Sequence, residues 1–147
     1  MTDLSDFAAL GAREHGLCVV STLNADGTIH SSVVNAGVLG HPVTGRPVVG
    51  FVVRGSARKL ANLRVRPHAT VVARVGWEWV GVEGPVHLVG PDDPGEGLDP
   101  SSVPGLLRDI FTAAGGTHDD WDTYDAVMAE EHRTAVLLTP RRVYANR

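Results

Sequence analysis

Cysteine is almost missing from this chain. Cys18 stands alone, which excludes an internal disulfide framework and any metal site built on cysteine pairs. It lies in the apolar run Leu17 to Leu23, where a thiol serves as a small buried hydrophobe. Lysine is as scarce: Lys59 is the only one among 13 basic residues. No apolar run approaches the length of a membrane-spanning helix, and the opening Met-Thr-Asp-Leu-Ser-Asp lacks the basic and apolar regions of a signal peptide. The expectation is a soluble, cytoplasmic protein with no membrane partner. With a net charge of -4 the chain carries no overall nucleic-acid footprint, so nucleic acid is not expected as a partner. A nucleophile elbow, a P-loop and a dinucleotide fingerprint are all absent, which disfavours a hydrolase or kinase. His15, His30, His41, His68, His87, His118 and His132 include no H-x-x-x-H pair, so no metal site is expected.

What is present reads as one domain over residues 1–147, long enough to bury a core. Leu4 to His15 has apolar residues near helical spacing, and Gly16 stops it. Leu17 to Leu23 and Thr28 to Asn35 form two strands about the turn Asn24-Ala25-Asp26-Gly27, a hairpin. A Gly/Pro-rich connection, Gly37 to Pro47, leads to a third strand, Val48 to Val53. Two more strands, Thr70 to Val75 and Trp79 to Val89, follow the basic segment described below, the second bent or bulged at Gly84-Pro85. Gly90 to Pro104 is a surface excursion rich in Asp, Pro and Gly. Val103 to Ala114 and Trp121 to Arg133 read as helices separated by Gly115-Gly116. Ala135 to Tyr144 is the last strand, with Pro140 admissible only at an edge or bulge. About six strands in hairpin order predict a mainly β fold, a small antiparallel barrel with peripheral helices.

The chemistry concentrates in Arg54 to Pro67, RGSARKLANLRVRP, where Arg54, Arg58, Lys59, Arg64 and Arg66 crowd the start of a short amphipathic helix. Ser56 is a suitable N-cap, and Arg58 and Lys59 fall in the first turn. Basic residues normally favour the other end of a helix. Here their charge adds to the macrodipole and the free N–H groups, an arrangement suited to a phosphate. A solvated basic face is the competing reading. Carboxylates gather elsewhere, in the excursion and the late helix, so no acid–base pair is visible and no catalytic residue is assigned. Reactivity would then come from a bound cofactor.

The order of features resembles the pyridoxamine 5′-phosphate oxidase-like superfamily. The residues that carry the resemblance are TLNADGTIHSSVV, then RGSARKLANLRVRP with its pattern Lys59, Asn62, Leu63 and Pro67, then ATVVARV and the strand ending VGVEGPV. The final segment, WDTYDAVMAEEHRTAVLLTPRRVYANR, looks more narrowly like the branch that uses the deazaflavin coenzyme F-420. The alanine-, glycine- and arginine-rich composition, typical of high-GC bacteria, leans the same way. The resemblance implies a six-stranded antiparallel split β-barrel of the FMN-binding type. It also implies a homodimer with the cofactor in a groove between subunits.

Under that resemblance Ser56, Arg58 and Lys59 match the positions that hold the cofactor phosphate, with Arg54 as an addition. Ser32, Val33, Val34 and Asn35 match the strand positions beside the tricyclic ring. Trp77 and Trp79 match a segment that reaches the cofactor from the partner subunit, although packing or a dimer interface would use two tryptophans equally well. The implied function is an oxidoreductase that moves a hydride between reduced coenzyme F-420 and an electron-poor small-molecule acceptor, such as a conjugated alkene or quinone. The alternatives are an FMN-dependent enzyme of the same fold and a flavin- or deazaflavin-binding protein without turnover. Arg54, Arg58, Arg64 and Arg66 carry more positive charge than one phosphate requires, which suits the acidic tail of the deazaflavin; Arg141 and Arg142 are further candidates for gripping that tail.

Overall fold

The computed structural model describes residues 2–146. Helix α1 (Leu4–Ala12) begins on a capping box, the Asp3 carboxylate accepting from the Ser5 and Asp6 backbone while Asp6 reaches back to the Asp3 N–H. It ends before the anticipated His15. His15 and Gly16 both take positive φ, and a Cβ on Gly16 would overlap the Ala114 carbonyl, so only glycine permits this close turn into the first strand.

Strands β1 (Leu17–Leu23) and β2 (Ile29–Gly40) form the expected hairpin, but β2 runs five residues past Asn35. The stretch read as a connection is therefore largely strand: Ala36 to Gly40 pairs with β3 (Pro47–Val53). Alternation along this stretch is masked because Ala36 and Gly37 are both buried, and Gly37 lies against Ala113 at the end of a helix. Helix α2 (Arg58–Val65) follows, then β4 (His68–Val75) and β5 (Glu78–Val89). A short 3-10 turn at Pro100–Ser102, helices α3 (Val103–Ala113) and α4 (Trp121–Glu130), and strands β6 (Thr134–Leu138) and β7 (Arg142–Ala145) complete the chain.

Six strands close in the order β4-β1-β2-β3-β6-β5, with β4 and β5 pairing to shut the ring and β7 lying outside it on β5. All the pairings are antiparallel. The expected last strand is thus two strands. Both lie along one edge of β5, β6 opposite Val86 to Val89 and β7 opposite Val80 to Glu83. Between them Thr139 N–H donates to Pro85 O and Arg141 N–H to Glu83 O at 2.9 Å each, so Pro140, which has no N–H to give, occupies the break. Gly84 faces this break. A side chain there would overlap the Thr139 carbonyl.

The barrel interior is filled by Val20, Val34, Phe51, Val71, Val82 and Val136, with α1 contributing Phe7 and α2 contributing Leu60 and Leu63. A second cluster lies under α3, where Leu106, Leu107 and Ile110 cover Val48, Ala135 and Leu137. Every residue of β6 is buried because alternate side chains enter these two cores.

Candidate functional site

The barrel is split where β2 changes partners. Its ladder with β3 ends at Ala36 opposite Phe51, and from Ile29 to Asn35 β2 pairs only with β1. Ala36 N–H donates to Gly16 O at 2.8 Å. Alternation in an antiparallel ladder then turns the backbone groups of Ser32 and Val34 toward β1, and those of Val33 and Asn35 toward the unpaired edge. Of the four β2 positions, Val33 turns both backbone groups to that edge and Asn35 its N–H, because the terminal Ala36–Phe51 pair, with the Ala36 N–H given to Gly16, takes the Asn35 carbonyl to β3. Val34 puts its side chain into the core, while the Val33 side chain lies 62% exposed on the outer face. The Asn35 side chain donates to His15 O at 2.9 Å, bracing the turn after α1.

Helix α2 starts one residue later than the sequence suggests. Ala57 is the N-cap and contributes no side-chain bond, whereas Ser56 lies exposed in the preceding turn, closed by Ala57 N–H to Arg54 O at 3.1 Å. Ser56 is thus available to a ligand but does not cap the helix. Lys59 is half-buried, and its Nζ donates to Ser32 Oγ at 3.0 Å. Burial and the neighbouring Arg133 cation both hold the lysine below its ordinary pKa. Among the described residues no carboxylate pairs with Lys59. A partly buried cation with a hydroxyl partner and a cationic neighbour leaves positive charge here without a carboxylate to balance it.

Glu131 stands at the edge of this cluster. It accepts from Arg133 Nε and from Arg54 Nη2, each at 2.8 Å, and these partners, Arg133 first, lower its pKa. Arg133 is a site residue that sequence reasoning placed at the end of a helix. The signal that could have located it is its position just before the apolar run Ala135 to Leu138 of β6. Beside it opens a cleft of about 400 Å3, walled by Asn35, Val52, Phe111, Tyr124, Met128 and Arg133. Asn35 and Val52 border it because β2 and β3 have just separated there.

Other predicted residues go elsewhere. Arg64 forms a two-pronged pair with Asp93, its Nε and Nη2 donating at 2.9 and 2.7 Å, and Arg66 Nε donates to Leu23 O at 3.0 Å. Arg64 is committed to Asp93 and Arg54 is engaged by Glu131, whereas Arg66, bonded to a neutral carbonyl, keeps its charge uncompensated. Arg58 is exposed and has no ion-pair partner among the described residues. Trp77 occupies the β4–β5 turn, not a strand, and is 92% exposed, so it does not share a strand face with Trp79. Trp79 packs edge-on against Tyr144 at 5.9 Å and borders a separate hollow with Arg13, Glu78 and Asn146. Neither tryptophan lines the cleft beside Arg133.

No family model matches this chain, and no curated protein matches it in sequence. Among solved structures it is similar to the conserved hypothetical protein Rv2991 from Mycobacterium tuberculosis, at 17% identity over 99% of this chain and 84% of that one, with a TM-score of 0.69. A pyridoxamine 5′-phosphate oxidase-related, FMN binding protein from Nostoc punctiforme aligns at 12% identity over 97% and 81%, TM-score 0.65. An F420 reductase aligns at 14% identity over 87% and 88%, TM-score 0.60. The likeness is one of fold: a closed six-stranded antiparallel β-barrel with a seventh strand outside it and peripheral helices.

Proposed function

We propose that the opening between β2 and β3 binds a phosphate-bearing tricyclic cofactor, and that the protein is a coenzyme F-420-dependent oxidoreductase. The observation that carries this reading is Lys59, a half-buried cation whose protein partner is the Ser32 hydroxyl, placed beside the unpaired edge of β2. The donor set fits the group. Lys59 and Ser32, with Ser56 from the preceding turn and Arg58 from the first position of α2, would hold the phosphate, and the backbone groups of Val33 and the Asn35 N–H would bond the polar edge of the ring. A bound deazaflavin supplies the hydride chemistry, passing two electrons to an electron-poor alkene or quinone. The chain's own residues position the acceptor and exclude water, and Tyr124, Met128 and Phe111 give the cleft the apolar wall this requires. FMN in the same opening is the alternative, since the phosphate grip serves either cofactor.

The assembly belongs to the same proposal. Leu17, Val19, Leu23, Ile29 and Val33 form an exposed apolar stripe on the outer face of the β1–β2 hairpin, with Val19 opposite Val33 and Leu23 opposite Ile29. The hydrogen-bonded Ser21–Ser31 pair lies between these two apolar pairs, and the face as a whole is suited to a second copy, giving a homodimer in which Trp77 and Trp79 reach the partner's site. The test is titration of the purified apo-protein with F-420 and with FMN, followed by absorbance, together with turnover of a quinone by the reduced cofactor. Saturable F-420 binding with turnover supports the reading. Tighter FMN binding with FMN-supported turnover promotes the alternative, and binding of neither overturns both.

A further inference from the structure

The Gly90 to Pro104 excursion is a strap, not a loose loop. Gly90 and Asp93 exchange backbone bonds, Arg64 grips the Asp93 carboxylate from α2, and His132 Nδ1 bonds Asp92 at 3.1 Å. Its far end is closed by Asp99, which caps the 3-10 turn by accepting from Ser101 N–H at 2.8 Å. Held at both ends, the strap roofs a chamber of about 340 Å3 over α3 and α4, walled by Val89, Pro94, Leu98, Val103, Leu107 and Met128.

The chamber and the cleft at the β2 edge share a wall. Met128 and Arg133 line both. Arg133 spends its Nε on Glu131, and its two terminal nitrogens have no bond partner among the described residues. Of the acidic residues that line the chamber, Asp125 is paired by Arg108 through two nitrogens, while Asp99, at the 3-10 turn, accepts from Ser101 N–H through Oδ1 and keeps its charge at the strap. The free donor capacity at this largely apolar space is thus the guanidinium at its boundary with the site.

From this we infer that the chamber binds an apolar small molecule carrying an oxyanion, its body under the strap and its charged end on Arg133. Assigning this molecule as the hydride acceptor rests on the functional reading above; the existence of the binding site does not. An oxyanion suits arginine because the terminal nitrogens present a fork from which two oxygens of a carboxylate or sulfonate can accept together.

The experiment uses anilinonaphthalene sulfonate, an apolar fluorophore with one anionic group, and phenylnaphthylamine, its neutral analogue. Both are titrated into the full-length protein, its Ala129→Trp variant and its Arg133→Met variant. Ala129 is an exposed α4 residue at the chamber, so an indole there fills the space without entering either core. Val127→Trp, which adds the same group to α4 away from the chamber, is the control, because the apolar stripe on β1–β2 also attracts such probes. The expected result is that Ala129→Trp weakens both probes by at least about tenfold while Val127→Trp leaves them unchanged. Arg133→Met is expected to weaken the sulfonate by about tenfold and the neutral probe little. Equal sulfonate binding by wild type and Ala129→Trp overturns the chamber, and an equal loss of both probes in Arg133→Met overturns the oxyanion. Cofactor titration of wild type and Ala129→Trp is run alongside. Failure of wild type to bind either cofactor overturns the functional reading, while the probe comparison still decides the chamber.

Discussion

The Asn62 amide donates to Thr22 Oγ1 at 3.1 Å and to Asn24 Oδ1 at 2.9 Å, joining α2 to β1 and to the turn that follows it. Asn62 and Thr22 are both buried. This contact fixes the pitch of α2 on the barrel, one turn from Lys59, and so sets where the ammonium meets Ser32. Removing the amide leaves the Thr22 hydroxyl buried without its partner. Asn62→Ala is therefore expected to lower unfolding stability by about 1–3 kcal/mol, measured by urea titration. It should also weaken cofactor binding, although Asn62 touches no ligand.

Lys59 carries a conflict between stability and binding. Its pKa is depressed in the folded chain, so below that depressed value the folded state bears the cost of a half-buried cation. The cost is relieved as the pH rises through the folded pKa toward the ordinary lysine value, and stability increases over that alkaline interval. Lys59→Met should remove the penalty at neutral pH and raise the Tm of the apo-protein, while Lys59→Ala weakens cofactor binding by about 1–3 kcal/mol. Lys59→Arg should restore affinity only in part, since a fork replaces a compact charge. Thermal melts and cofactor titration check both; a lower Tm for Lys59→Met contradicts the argument.

Arg64 and Arg58 should behave oppositely. Arg64 is committed to Asp93 on the strap, so Arg64→Ala is expected to leave affinity for F-420 and FMN unchanged. Arg58 is exposed and unpaired among the described residues, and Arg58→Ala should reduce whatever advantage F-420 holds over FMN at low salt, an advantage that screening diminishes as ionic strength rises. Titration of both variants at two salt concentrations measures this.

The hairpin face predicts the assembly. Val33→Glu places a carboxylate at the middle of the apolar stripe, opposite Val19, and is expected to shift a dimer to monomer in sedimentation while leaving the thermal transition nearly unchanged. A wild-type chain that sediments as a monomer at micromolar concentration refutes the dimer.

Burial pushes the Cys18 thiol up to about 11, which leaves it protonated at neutral pH. Slow labelling by a thiol reagent in the native state, becoming fast in denaturant, is the expected outcome.

The elements legible in the chain were those whose own residues decide them. The β-branched run Leu17 to Leu23 and the turn at Asn24 to Gly27 follow from side-chain branching and turn chemistry, both local properties, whereas the last strand, read as one from Ala135 to Tyr144, is divided in two around Pro140. Lys59 was legible for the same reason, as the lone lysine in a basic first turn. What the tertiary structure decided was which charges remain free. Arg64 and Arg54 look like Arg58 in sequence, yet Asp93 and Glu131, 29 and 77 residues away, claim the first two. The length of β2 was decided in the same way, because Ala36 and Gly37 become strand only when β3 and α3 close over them. Arg133 joined the site through packing alone: β6 is buried on both faces, which fixes the residue just before it against α4 and the β2 edge. Local preference chooses the elements, but pairing between distant residues determines which polar groups are satisfied and which are left to bind something else.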